Sequence, residues 1–186
     1  MKKRLADIVE IKSGKSFREK PEFINSDGCG LIQMRDVSRD GISSDLQYIE
    51  RNEVNENQLL YFGDLIFVAK GRTNYAVVYE YEEPAVAASF FFVIRPDKEL
   101  VQPWYLAWYI NSSEAQAYFD RNRAGSSVGN IKKSQLERLE IALPDLSTQS
   151  KIGELSVLLV REKELVAKYM AKKERFIDGS IKCKIL

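Results

Sequence analysis

From Ser147 to about Gly179 the chain has no proline, and its only interior glycine is Gly153. Proline breaks a helix and glycine weakens one, so nothing in this stretch stops a helix. With Ile152 set as heptad position a, the a and d places fall on Ile152, Leu155, Leu159, Glu162, Val166, Tyr169, Lys173 and Phe176. Six of these eight are apolar, at the three-and-four spacing of a helix seam. Leu158 and Leu165 flank the seam and widen it. A helix of about 30 residues is about 45 Å long at 1.5 Å per residue. Projecting alone from a small domain it would leave this stripe in water, so the pattern predicts a partner helix. The alternative is that the stripe folds back onto the chain's own domain.

Before this helix the periodicity is different. A helical turn leads into a strand over Leu5–Ile11, and Gly30–Met34 and Leu65–Ala69 read as strands. Tyr75–Tyr79 follows the turn Gly71-Arg72-Thr73-Asn74, and Ala85–Ile94 is one strongly apolar stretch stopped by Arg95-Pro96-Asp97. Pro103 opens a helix to Ile110, and a second runs from about Ser113 to Arg121. A small-residue loop, Gly125–Asn130, and a short helix, Lys132–Arg138, precede the strand Leu139–Pro144. The expectation is an α+β chain. Residues 1–146 form a small mixed β-sheet domain with short helices, and residues 147–186 form one long helix that pairs as an antiparallel coiled coil.

Composition excludes much chemistry. There is no histidine, which removes Ser-His-Asp and Cys-His triads and HExxH zinc sites. Cys29 and Cys183 are isolated, so neither a disulfide framework nor a metal site is implied, and a reduced, cytoplasmic chain is expected. The longest apolar stretch is far too short to span a membrane. Gly14-Lys15-Ser16 resembles the tail of a phosphate loop, but Val9 stands where its leading glycine belongs. Pro96-Asp97-Lys98-Glu99 reads as a polar turn. No metal and no cofactor is expected.

What remains is binding. Net charge is only +1, so contact with nucleic acid must use a local basic patch. Residues 1–150 carry 19 basic and 22 acidic side chains, a net of −3, and residues 151–186 carry 9 and 5, a net of +4. Basic and small polar residues cluster in three loops: Lys12, Lys15, Ser16 and Arg18; Lys70, Arg72, Thr73 and Asn74; and Arg121, Asn122, Arg123, Ser126, Ser127, Asn130, Lys132 and Lys133. Such groups hold phosphates and read base edges, although they also solvate ordinary turns. The candidate DNA contacts are Lys70, Arg72, Asn74, Arg121, Arg123, Ser126, Ser127, Asn130 and Lys132.

Four segments in order resemble the specificity (S) subunit of Type I restriction–modification systems. They are Leu5–Lys15; Leu59-Leu60-Tyr61-Phe62-Gly63-Asp64-Leu65-Ile66-Phe67, like that family's "L…GD-apolar" strand; Pro103-Trp104-Tyr105-Leu106 through Asn111-Ser112; and Ile141-Ala142-Leu143-Pro144-Asp145-Leu146-Ser147-Thr148-Gln149-Ser150-Lys151-Ile152, like its "I-x-L-P-P-L-x-x-Q-x-x-I". Asp145 stands where that pattern often has a second proline. The set occurs once, whereas typical members carry two recognition domains and two helices. The chain thus resembles a half-length form, with one target-recognition domain and one conserved-region helix.

The resemblance implies a non-enzymatic subunit that selects a bipartite double-stranded DNA sequence for partner methyltransferase (modification) subunits. A restriction subunit can join that complex. It also implies a homodimer through the C-terminal helix, with Ile152, Leu155, Leu159, Val166, Tyr169 and Phe176 in the seam and the helix length setting the gap between half-sites. Two competing readings are a small metal-dependent nuclease and a helix-mediated adaptor without DNA contact.

Overall fold

In the computed structural model, residues 1–25, 27–71, 73–123 and 129–185 are described. The strands are β1 (Lys2–Arg4), β2 (Val9–Ser13), β3 (Cys29–Ile32), β4 (Val37–Ser38), β5 (Gly41–Ile42), β6 (Gln47–Ile49), β7 (Leu65–Val68), β8 (Ala76–Val78), β9 (Ala85–Ala87) and β10 (Phe91–Pro96). Helices α1 (Pro103–Ile110), α2 (Ser113–Arg123) and α3 (Lys133–Glu137) lead to β11 (Glu140–Ala142) and to α4 (Leu146–Ile185). The mixed α+β architecture matches the expectation.

The organising layer is an antiparallel sheet in the order β2-β10-β7-β8. Its strands alternate because successive side chains point to opposite faces. Leu65 and Phe67 of β7 and Ile94 of β10 join one core with α1, α2 and α3. Ile66 and Val68 of β7 and Phe91 and Val93 of β10 join a second core, against the sheet β6-β3-β9. The layers are therefore helices, sheet and smaller sheet.

The apolar stretch Ala85–Ile94 is two strands rather than one. β9 pairs in parallel with β3, and β10 lies between β2 and β7, so a turn at residues 88–90 moves the chain between sheets. Pro96 does not stop β10 but forms its last pair, with Val9. The N-terminal β1 pairs with β11, a contact between segments far apart in sequence that local pattern does not announce. The polar turn follows directly after Pro96, with the Asp97 carboxylate accepting the Glu99 amide at 3.0 Å and the Asp97 carbonyl accepting the Leu100 amide at 2.9 Å.

The motif segments acquire structural roles. Gly63 has φ +93, which glycine adopts without the steric penalty of a Cβ. It delivers Asp64 into the fold, where that side chain is buried. Asp64 accepts the Tyr61 amide at 2.9 Å and both Arg95 Nε at 2.9 Å and an Arg95 terminal nitrogen at 2.6 Å. Asn111 closes the edge of β8: it accepts the Ala76 amide at 2.9 Å and donates to the Ala76 carbonyl at 2.8 Å.

Helix α4 spans 40 residues, or about 60 Å. Asp145 caps it, accepting the Thr148 amide at 3.0 Å and its hydroxyl at 2.7 Å. These bonds hold the Asp145 carboxyl below its usual range. A carboxylate in place of the common proline is thus a cap. Gln149 sits almost fully buried at the base of α4. Its carboxamide accepts the Gln102 amide at 2.9 Å and donates to the Leu100 and Pro144 carbonyls at 3.2 and 2.9 Å. Where α4 crosses α1, a Cβ on Gly153 would lie 3.0 Å from Trp104 Cβ, so glycine allows the close approach.

Candidate nucleic-acid interface

The antiparallel register decides which loops meet. Phe91 at the start of β10 lies beside Val68 at the end of β7, and Phe92 lies beside Ser13 at the end of β2. The segment after β2, the β7–β8 loop and the β9–β10 turn therefore share one end of the sheet. The base of α4 lies at the other end, where Gln149 meets the segment that follows β10.

Residues 129–131 join the same end: the Ile131 amide donates to the Ala69 carbonyl at 2.9 Å. A Cβ on Gly129 would lie 3.0 Å from the Gly71 carbonyl oxygen. The described parts of the three basic clusters, dispersed in sequence, are thus brought to one end of the sheet. Gly14 makes the junction tight, since a Cβ there would lie 2.1 Å from the Ala88 carbonyl oxygen.

The predicted residues differ in what they offer. Lys70 is exposed, as are Arg121 in the last turn of α2 and Lys132 just before α3. Arg123 pairs with Asp120 at 2.9 Å. Asn130 is half-buried, and its carboxamide oxygen has no hydrogen-bond partner. Arg72, Ser126 and Ser127 lie outside the described residues. Asn74 requires a correction. It is 0% exposed and donates to the Val68 and Ala69 carbonyls at 2.9 and 3.1 Å. A side chain with no open surface shapes the β7–β8 loop and does not reach a base.

Sequence reasoning missed Phe90. It stands 47% exposed on the β9–β10 turn, with Lys70 Nζ 4.9 Å from its ring centre. An ammonium over an aromatic face is a favourable cation–π arrangement. The signal was obscured because Phe90 sits within an apolar run whose neighbours are core. Lys15 lies near this end, with Nζ 5.0 Å from the Phe17 ring centre and donating to the Glu53 carbonyl at 2.6 Å.

The second candidate surface is the α4 stripe. Ile152 packs against the domain's own core. Folding back ends there: Leu155, Leu159, Val166, Tyr169 and Phe176 are exposed, the last by 76%. Among the described residues no helix is long and apolar enough to cross a membrane, and no group of three or more His, Cys, Asp or Glu could hold a metal ion. Cys29 is buried, which pushes its thiol up to about 11.

This architecture, a layered α+β domain running into one long helix, is similar to that of solved Type I restriction–modification specificity subunits. The HsdS subunit from Thermoanaerobacter tengcongensis matches with TM-score 0.64 and 17% identity, over 91% of this chain and 39% of that one. A chain from a structure of type I R-M complex assembly and conformational transition matches with TM-score 0.69 and 16% identity, over 94% and 41%. The S subunit from M. genitalium matches with TM-score 0.58 and 16% identity, over 90% and 41%. The chain spans about two-fifths of the length of these solved chains. No curated protein sequence matches it. Residues 1–157 match the Type I restriction modification DNA specificity domain, and the chain belongs to that family.

Proposed function

We propose that this chain is a DNA sequence-recognition subunit of a Type I restriction–modification system, acting in the cytoplasm. It selects the target and performs no chemistry itself. Partner methyltransferase subunits supply adenine methylation with their own S-adenosylmethionine, and a restriction subunit can join them. Residues 1–146 are the recognition domain, and residues 147–186 are the spacer helix. Two copies pair through Leu155, Leu159, Val166, Tyr169 and Phe176, with Ile152 held on the domain core at the base of the seam, so that two identical half-sites are read in inverted orientation.

The observation that carries this reading is the convergence of the basic loops at one sheet end, remote from the base of α4. Lys70, Arg72, Arg121, Arg123, Ser126, Ser127, Asn130 and Lys132 are the proposed DNA contacts. Positive and small polar groups at one end suit phosphate contact and base reading together.

The test is long-read detection of modified bases in the native host, with and without the gene. Loss of methyladenine at one inverted bipartite motif supports the full reading. Loss at an asymmetric motif means that the chain pairs with a different recognition domain. Retention of every methylated motif overturns it.

A further inference from the structure

The exposed a and d stripe of α4 from Leu155 to Phe176 is apolar except at Glu162 and Lys173, and both of these are exposed. We propose that a second copy of this chain covers this face in a single antiparallel register. The two-fold axis crosses between Ala167 and Lys168, so that Glu162 meets the partner's Lys173. This rests on the self-pairing reading above and adds the register, which that reading leaves open.

On such an axis the residue numbers of facing side chains sum to 335. Leu159 then faces the partner's Phe176, Val166 faces the partner's Tyr169, and Glu162 faces the partner's Lys173, each twice by symmetry. From Leu159 to Phe176 every layer matches apolar with apolar or acid with base. A slip of one heptad toward the domain sets Leu155 on the partner's Lys173 and Glu162 on the partner's Val166. The opposite slip sets Tyr169 on the partner's Lys173 and Glu162 on the partner's Ser180. Both bury charge without an opposite charge, which is unfavourable. A parallel pair in register would stack Glu162 on the partner's Glu162 and Lys173 on the partner's Lys173.

Charge along the helix agrees. Residues 146–167 carry three basic and three acidic side chains, net zero, whereas residues 168–185 carry six and two, net +4. An antiparallel pair lays the neutral half beside the basic half, and a parallel pair lays +4 on +4. The domain leaves room for the partner. A groove of about 710 Å³ opens between α4, α1 and the β4–β5 hairpin, lined by Trp108, Val157, Val160 and Lys163. In this register the exposed Met170 and Ile177 of each copy lie on the side of the seam that faces the other copy's groove.

The experiment is sedimentation equilibrium on the full chain and on Glu162→Lys, Lys173→Glu and the double variant, with helix content checked by circular dichroism. Each single variant should weaken self-association about tenfold or more, because it sets like charges in two layers at once. The double variant should return to within about threefold of the parent. A dimer that both single variants leave within about threefold overturns the register and keeps self-pairing. Weak single variants with an equally weak double variant also overturn the register. A parent chain that stays monomeric overturns self-pairing and the register together.

Discussion

Replacing Gln149 by methionine should detach the base of α4 from the domain. The two side chains have similar volume, so the substitution tests hydrogen bonding more than packing. Gln149 is 1% exposed and bonded to three backbone groups, the Gln102 amide and the Leu100 and Pro144 carbonyls. Methionine leaves all three without that partner. An abandoned buried donor or acceptor costs about 1–3 kcal/mol, so with some rehydration the sum is about 3–5 kcal/mol. At an m-value of about 2 kcal/mol/M, the urea midpoint should fall by about 2 M. Trp104 supplies the assay, because its Cβ would lie 3.0 Å from a Cβ on Gly153 of α4 and its fluorescence reads the α1–α4 contact directly. A midpoint within about 0.5 M of the parent, corresponding to about 1 kcal/mol, would refute the idea that these bonds lock the helix to the domain.

Three further outcomes are expected. Gly14→Ala should destabilise the fold by about 3 kcal/mol or more, since the added Cβ would meet the Ala88 and Ala87 carbonyl oxygens at 2.1 and 2.7 Å; thermal unfolding measures it. Lys70→Ala and Arg121→Ala should weaken DNA binding by the assembled complex about equally on all sequences, each lowering the salt slope by about 1 in a binding titration at several ionic strengths. Burial pushes the Tyr105 hydroxyl up to about 12 and the Cys29 thiol up to about 11. For groups raised in this way, the unfolded chain loses its protons first. Their stabilisation is therefore complete below the unfolded-state values near 9 for Cys29 and 10 for Tyr105. It is lost as pH climbs through the raised ones, so urea midpoints should decline across that window, and less steeply in Tyr105→Phe.

Much was legible in the chain because it is local. Period decided α1 and α4, with Pro103 opening the first and the absence of proline permitting the second. The same periodicity marked the apolar stripe of α4 and its charged interruptions at Glu162 and Lys173, which stand exposed on the helix. Turn chemistry at Gly63-Asp64 marked the entry to β7. Gln149 was visible as a motif letter, but its three bonds were not, since their partners lie 5, 47 and 49 positions away.

Tertiary structure decided the rest. Nothing local divides the apolar run 85–94 between two sheets, because β9 and β10 each answer to a distant partner. Composition treats Asn74 and Lys70 alike, as polar loop residues, yet one is sealed under the loop and the other stands over Phe90. The described parts of the three basic clusters share one end of the sheet only through antiparallel register, which brings the ends of β2 and β7 to the start of β10. Local sequence specifies what each segment prefers to be. Which loop ends meet depends on long-range strand pairing, and that follows from how the whole chain buries its two cores.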